Sequence, residues 1–307
     1  MPIKIRSDLP ACSILQNENV FVITEKRAQT QDIRPLKVAL INLMPTRETT
    51  ETQILRLLAN SPLQTEVSLV CMENHDYKNT GMEYLQKFYI TSSEFLKTRW
   101  DGMIVTGAPV EQLPFEDVDY WTELCKIMDY AKENVFSSLY LCWGAFAGLY
   151  HLHGVPKHPV DNKLFGVFMN YRTTSNEPLM RGFDDTFPIP QSRHTTIYEK
   201  DVLEHPELVI LAKSPDAGVT LVKSADNRNI FMTGHLEYDT DTLANEYWRD
   251  RQKGLTINLP RNYFPNNNTS LPPSSYWRST AHLLFANWLN YYVYQETPYN
   301  FVYNRFL

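Results

Sequence analysis

One cysteine stands at a corner between a strand-like segment and a helix-like one. Residues 137–154 read SSLYLCWGAFAGLYHLHG, an apolar run that ends at Cys142 and continues in small residues. A nucleophile on such a turn is exposed at the carboxyl edge of a sheet, and the N-terminus of the following helix favours a thiolate. Gly144 suits the tight turn because it has no side chain. We therefore predict that Cys142 is a nucleophile, whereas Cys71 in a strand and Cys125 on an apolar helix face are structural.

A nucleophilic cysteine needs a base, and one histidine has a suitable neighbour. Residues 231–239 read FMTGHLEYD, with His235 and Glu237 two positions apart after a strand-like run. In extended backbone such side chains point to the same side, so we expect the Glu237 carboxylate to hold the imidazole in one tautomer. Backbone N–H groups at Gly107, in the turn TGAP, and at Trp143 are the expected donors to an oxyanion.

Strands and helices alternate around these residues. Apolar runs typical of strands buried on both faces lie at residues 37–44, 65–72, 101–107 and 136–142, and amphipathic segments lie at 46–59, 116–134 and 144–152. This order predicts an α/β fold with a mainly parallel sheet flanked by helices. Residues 163–234 contain closely spaced strand-like runs, which predict antiparallel strands on one side of the sheet. We expect a single domain over residues 1–307, with an N-terminal extension at 1–35 and a flexible loop at 265–275.

The composition argues against several classes of partner. The chain has 307 residues and a net charge of -6 without a Lys/Arg block, which disfavours nucleic-acid and polybasic membrane surfaces. The N-terminus has no apolar stretch of signal-peptide length, and the four cysteines include no CxxC pair. Clustered histidines without suitably spaced cysteine or carboxylate ligands predict no metal site; they are His151, His153 and His158. We expect a cytoplasmic protein that acts on small molecules.

The motifs resemble two related families. TGAP, LCWGA and GHLEYD follow the order of the oxyanion turn, nucleophile elbow and His-x-Glu motif of class I glutamine amidotransferases, with Tyr140 in place of a usual Gly. The closer resemblance is to the homoserine O-acyltransferases of methionine biosynthesis, which share that flavodoxin-like fold, and among them to the O-acetyltransferase subtype. The segments that carry it are residues 38–58, 105–121, 139–157, 168–185, 190–195 and 234–250.

The resemblance implies a ping-pong acyl transfer. Cys142 would attack acetyl-CoA and form an acyl-thioester, which the side-chain hydroxyl of L-homoserine would then capture. His235 would act as the base and Glu237 would orient it, in agreement with the assignment made from the residues alone. No cofactor is implied beyond the co-substrate acetyl-CoA, and we expect a homodimer.

The resemblance also implies substrate-binding positions. Lys163, Ser192 and Arg249 match residues of the family that bind or select substrate, and a planar guanidinium at Arg249 would pair with an amino-acid carboxylate. From its pattern alone, Ser192 is expected in a proline-containing loop. Glu111 matches the position tied to donor choice, with Glu associated with acetyl-CoA and Gly with succinyl-CoA. A carboxylate there would repel a succinyl carboxylate about 4 Å away by roughly 4 kcal/mol.

Other functions remain open from the sequence. Succinyl-CoA is the alternative donor for the same chemistry. A glutamine amidotransferase or thiol hydrolase would use the same cysteine, and a binding protein that has lost its activity would keep the same fold.

Overall fold

A single large sheet forms the centre of the molecule. The computed structural model describes residues 3–18, 20, 22–23, 34–77 and 80–298. Within these residues the strands are β1 (Ile3–Lys4), β2 (Val22–Ile23), β3 (Leu36–Ile41), β4 (Thr65–Cys71), β5 (Tyr89–Thr91), β6 (Trp100–Val105), β7 (Val135–Leu141), β8 (His158–Arg172), β9 (Thr186–Thr196), β10 (Leu208–Ser214), β11 (Gly218–Ser224) and β12 (Asn229–Met232). Their order is β2-β1-β4-β3-β6-β7-β12-β11-β10-β8-β9, with β5 beside β4.

The sheet has a parallel part and an antiparallel part. β3 runs parallel to β4 and β6, and β7 runs parallel to β6 and β12. The pairs β12–β11, β11–β10, β10–β8 and β8–β9 are antiparallel. The α/β fold with antiparallel strands in the second half is therefore confirmed, and β12 is the strand that joins the two parts.

Helices cover both faces of the sheet. They are α1 (Pro10–Asn17), α2 (Arg47–Ala59), α3 (Met82–Phe88), α4 (Ser92–Phe95), α5 (Trp121–Asn134), α6 (Trp143–His153), α7 (Glu199–Leu203), α8 (Thr242–Gln252) and α9 (Arg278–Asn287). Alternate residues of β3 enter opposite cores: Val38 packs with the cluster of α2 and α9, whereas Ala39 packs with the cluster of α5 and α6. Burial on both faces explains the continuous apolar runs of the parallel strands.

One strand departs from the sequence expectation. The segment around Ser192 is not a proline-containing loop but β9, which pairs with β8 from Tyr171↔Thr186 to His158↔Thr196. Pro188 and Pro190 hid the strand pattern. A proline has no N–H for a ladder, but β9 ends the sheet order and needs partners on one side only. Ser192 is therefore held at a fixed register opposite Phe165.

The N-terminal segment, the loop at residues 265–275 and the C-terminal helix each contain regular structure. In residues 1–35, the described part supplies β1, which pairs with β4, and α1, which packs on α2. Residues 265–275 begin with a short 3-10 turn at Pro265–Asn267. Helix α9 continues directly into a π-helical turn at Trp288–Tyr294. Among the described residues, no helix combines the length and apolar character needed to cross a membrane.

Candidate active site

Cys142 lies between the end of β7 and the start of α6. Its backbone has a positive φ of 48° with ψ −115°, which is unusual for a residue with a side chain. The Cys142 N–H donates to the Met232 carbonyl of β12 at 2.7 Å, and its carbonyl accepts from Ala145 N at 2.9 Å. Such strain persists only where the surroundings enforce it and is typical of functional sites. The geometry is that of the predicted nucleophile turn.

Gly144 allows the turn to lie against the neighbouring strand. A Cβ at this position would be 2.7 Å from the Thr106 carbonyl oxygen and 2.9 Å from that of Val105. Both contacts are with backbone, so a side chain could not be accommodated without moving the end of β6. Tyr140, the departure from the amidotransferase pattern, is buried and stacks on Phe231, with ring centroids 5.1 Å apart. It therefore packs in the core and does not enter the site.

His235 and Glu237 form the expected pair. Imidazole Nδ1 lies 2.6 Å from Glu237 Oε1, and both residues are buried. The backbone between the two residues is not extended, contrary to the expectation from the sequence. Residues 236–237 form a turn, which brings the Glu237 carboxylate back to the His235 ring. Glu237 Oε2 is buried and has no hydrogen-bond partner among the described residues. The carboxylate is therefore committed to His235.

The charges around His235 favour the imidazolium. Burial by itself lowers the pKa of His235, but the negative charges of Cys142 and Glu237 and the hydrogen bonds to both raise it well above its ordinary value. Since Nδ1 bonds Glu237, the nitrogen that faces the cysteine is Nε2. Gly107 borders the same space: a Cβ built there would lie 3.8 Å from Cys142 Sγ and 3.5 Å from His235 Cε1. The structure thus brings Cys142, His235, Glu237 and Gly107 together.

A second cluster gathers the predicted substrate-binding residues around one carboxylate. Lys163 Nζ bonds to Glu246 Oε1, Ser192 Oγ donates to the same oxygen at 2.7 Å, and Arg249 Nη2 lies 3.8 Å from it. Arg249 also donates to Asp250 Oδ1 at 2.7 Å, and its side chain is 55% exposed. Cations and anions thus alternate over a short distance in this cluster.

Glu246 was not predicted from the sequence. Its spacing from Arg249, three residues along α8, places both on one helix face and could have indicated it. Arg193 was not predicted either; it is fully buried and donates to Gln191, Thr195 and Ala217. Burial lowers the pKa of Arg193 to about 10, and the negative charges of Cys142 and Glu111 oppose that fall. A buried cation therefore lies within the electrostatic reach of both residues.

Glu111 binds the backbone of β9. Its Oε2 accepts from the His194 N–H at 2.8 Å, while its own carbonyl accepts from Lys157 Nζ at 2.7 Å. The predicted donor-selecting carboxylate is thus fixed in place next to Ser192 and Arg193. It is not a freely solvated loop residue.

The remaining sequence candidates lie elsewhere. The clustered histidines bond to separate carboxylates: His151 to Asp129, His153 to Glu207 and His158 to Asp201. In the described ranges, no group of three or more His, Cys, Asp or Glu side chains is arranged to hold a metal ion. Cys71 and Cys125 are free thiols, and burial raises the pKa of each, to about 11 for Cys125.

Two solved structures of glutamine amidotransferases are similar to this fold. A glutamine amidotransferase from Thermotoga maritima superimposes with a TM-score of 0.54 at 11% identity, covering 84% of this chain and 98% of that one. A second from Methylobacillus flagellatus gives a TM-score of 0.53 at 11% identity, with 84% and 95% covered. At these identities the likeness establishes a class I amidotransferase-like fold.

Sequence relatives share far more of the chain. It is 56% identical over 300 residues to a protein of Brevibacillus brevis named homoserine O-acetyltransferase, covering 98% of both chains. It is 52% identical to one of the same name from Methanomethylophilus alvi, covering 98% of this chain and 97% of the relative. The model of the homoserine O-succinyltransferase family matches residues 2–299. This protein belongs to the homoserine O-succinyltransferase family.

Proposed function

We propose that this protein is a homoserine O-acetyltransferase, which moves an acetyl group from acetyl-CoA to the hydroxyl of L-homoserine through a thioester on Cys142. The observation that carries the proposal is a triad whose base is bonded to the strand that carries Ser192: the His235 N–H donates to the Pro190 carbonyl at 2.9 Å. A Cys142–His235–Glu237 triad lies at a strand-to-helix turn, and charged groups suited to an amino acid surround Glu246 nearby. The full-length relatives named homoserine O-acetyltransferase support the same reaction.

In the first half-reaction, Cys142 Sγ attacks the thioester carbonyl carbon of acetyl-CoA. The C–S bond to CoA breaks, and CoA leaves as a thiol with the proton held on His235. The imidazolium favoured by Cys142 and Glu237 is the acid that this step requires. Backbone N–H groups of Gly107 and Trp143 are the proposed oxyanion donors. Trp143 is the first residue of α6, so its N–H has no acceptor within the helix.

In the second half-reaction, the homoserine hydroxyl oxygen attacks the acetyl thioester. His235 accepts the hydroxyl proton, the new ester C–O bond forms, and Cys142 is released. We place the homoserine carboxylate against Arg249 and Lys163 and its ammonium against Glu246, because each charge then meets its opposite. Ser192 donates a hydrogen bond to Glu246 and so holds the Glu246 carboxylate in position.

For the donor, we propose that Glu111 selects acetyl over succinyl. Its bond to His194 N fixes the carboxylate beside the site, and its negative charge would face the distal carboxylate of a succinyl group. Repulsion between like charges about 4 Å apart reaches roughly 4 kcal/mol at a protein-surface dielectric. An acetyl group has no such charge.

The remaining properties are also proposals. We propose that the protein works in the cytoplasm as a homodimer and needs no resident cofactor. The aromatic-rich C-terminal end could cover such a dimer interface, and residues 299–307 of it lie outside the described ranges. Tyr292 is buried in its own chain, whereas Tyr294 is 50% exposed and is available to a partner subunit. Light scattering of the purified protein tests the dimer.

Intact-mass measurement after incubation with acetyl-CoA alone tests the mechanism. We expect an acetyl adduct on the wild type and on Cys125→Ala, and none on Cys142→Ala. Glutamine hydrolysis is measured in parallel, because ammonia release without an adduct would support an amidotransferase. An unmodified wild type that still makes product would refute the ping-pong scheme.

Comparison of kcat/KM for acetyl-CoA and succinyl-CoA tests the donor. Glu111→Gln removes the charge but keeps an oxygen for His194 N, whereas Glu111→Gly removes both. If charge decides, both variants shift the ratio toward succinyl-CoA by roughly 10- to 100-fold. A shift confined to Glu111→Gly would show that space or the His194 bond decides instead.

A further inference from the structure

The ring of Tyr238 lies flat on the imidazole of His235. Their centroids are 4.1 Å apart and their planes differ by 14°. None of the steps described above uses this tyrosine, although it directly follows Glu237 in the chain. A parallel contact this close covers one face of the base and limits how far the imidazole can tilt.

The position of Tyr238 is fixed from two directions. The turn that returns Glu237 to His235 also carries Tyr238, whose N–H donates to the His235 carbonyl at 3.4 Å. On the far side, the buried indole of Trp277 donates from Nε1 to the Tyr238 carbonyl at 3.0 Å. The tyrosine is therefore anchored to the start of α9 and not only to the catalytic turn.

The Tyr238 hydroxyl is not committed to a partner. It forms no hydrogen bond with any residue in the described ranges. Burial, followed by the negative charges of Glu246, Glu237, Cys142 and Glu111, raises the pKa of Tyr238 well above its ordinary value. The hydroxyl thus stays protonated, and it senses the carboxylates of both the acceptor and the donor side.

We propose that Tyr238 is a positioning residue whose ring holds His235 between Glu237 and Cys142. This inference rests on the proposed acyl transfer, in which one imidazole must serve first the thiol and then the homoserine hydroxyl. The electron-rich face of a tyrosine also attracts a cation, so the stack stabilises the imidazolium form. Loss of the ring and loss of the hydroxyl should therefore have different consequences.

Tyr238→Leu and Tyr238→Phe separate loss of the ring from loss of the hydroxyl. In Tyr238→Leu, we expect the pKa of His235, followed by NMR on histidine-labelled protein, to fall by roughly one pH unit. The alkaline limb of the thioester-formation rate should move to lower pH by the same amount, and kcat should fall about tenfold. In Tyr238→Phe, which keeps the ring, the pKa, thioester formation and kcat should stay at wild-type values.

A second stacked pair provides the matched control. Tyr198 lies on His158 with centroids 4.2 Å apart and planes at 22°, and the pair includes neither a triad residue nor a residue of the Glu246 cluster. Tyr198→Leu removes the same kind of stack and should leave kcat, KM and the His235 titration unchanged. If Tyr238→Leu does not fold, Tyr238→Met gives the same comparison.

The outcomes distinguish this inference from the proposed function. A wild-type His235 titration and a wild-type kcat in Tyr238→Leu would overturn the positioning role, as would an equal loss in Tyr198→Leu. A wild-type protein that forms no acetyl thioester would instead refute the proposed function. The NMR titration needs no substrate, so it tests the stack in either case.

Discussion

The parallel and antiparallel parts of the sheet position their reactive side chains in different ways. In the parallel part, β7 ends at Leu141, Cys142 turns the chain, and α6 begins at Trp143, so the nucleophile depends on neighbours in sequence. In the antiparallel part, Lys163 and Ser192 reach Glu246 from 83 and 54 residues away along the chain. The reacting atom therefore comes from a local motif, whereas the substrate pocket comes from tertiary arrangement.

The two parts meet at Gly234, directly before the base. A Cβ at Gly234 would lie 2.4 Å from Ile189 Cγ2 and 2.7 Å from the Pro190 carbonyl oxygen, so β9 approaches this backbone too closely for any side chain. The His235 N–H then donates to the Pro190 carbonyl at 2.9 Å. The base thus follows a parallel strand but is attached to the strand that carries Ser192, and a shift of β9 would move both.

The largest expected effect breaks the local motif. Glu237→Gln should lower the rate of thioester formation and kcat by about 10²- to 10⁴-fold, because the amide neither orients nor charges the imidazole in the same way. Since the Glu237 charge helps to raise the pKa of His235, its loss lowers that pKa. The alkaline limb of the pH–rate profile should therefore move to lower pH. Rapid-quench measurement of thioester formation across pH tests both effects.

A carboxylate elsewhere provides the control for that variant. Glu199 pairs with Lys213 at 2.7 Å, outside the site. Glu199→Gln should keep the wild-type rate and profile. Equal losses in the two variants would show that removal of any carboxylate perturbs the protein.

A smaller effect should appear when the tertiary cluster is broken. Glu246→Gln should raise KM for homoserine roughly 10- to 100-fold, the value of a charge-assisted hydrogen bond. Thioester formation from acetyl-CoA should keep its wild-type rate, because Glu246 acts only on the acceptor. Steady-state and single-turnover kinetics on one preparation measure the two quantities. A fall in thioester formation of similar size would contradict the separation of the two parts.

The sequence predicted the parallel part well because its signals are short in range. The corner at Cys142, the space needed at Gly144 and the spacing of His235 and Glu237 all lie within a few residues of one another, and the structure brings them together. Even here the expected backbone conformation was wrong, since a turn and not an extended strand joins His235 to Glu237. The spacing of two residues shows that their side chains can meet, but it does not determine the backbone conformation that brings them together.

The antiparallel part was less predictable for a physical reason. Proline removes an N–H from the ladder, so Pro188 and Pro190 disfavour a strand unless its place at the end of the sheet is known. Ser192 was consequently assigned to a loop. Glu246 was missed because its partners Lys163 and Ser192 come from other segments, and only the folded chain brings them to it. Pairing order and long-range contacts are not encoded in local periodicity.

The smallest expected effect is on stability, and it concerns a histidine that contacts β12, the strand that joins the two parts of the sheet. His153, the last residue of α6, bonds through Nδ1 to Glu207 at 3.2 Å and meets Phe231 of β12 edge-on. Burial lowers the pKa of His153, and Glu207 opposes the fall only in part. The unfolded chain therefore binds a proton more readily below about pH 6.5, so the free energy of unfolding should decrease as pH falls from 7. In His153→Gln this pH-dependent contribution should be absent. Urea unfolding of the wild type and of His153→Gln between pH 5 and 8 gives the free energy of unfolding of each as a function of pH. If the two free energies change equally with pH, His153 does not contribute to this pH dependence.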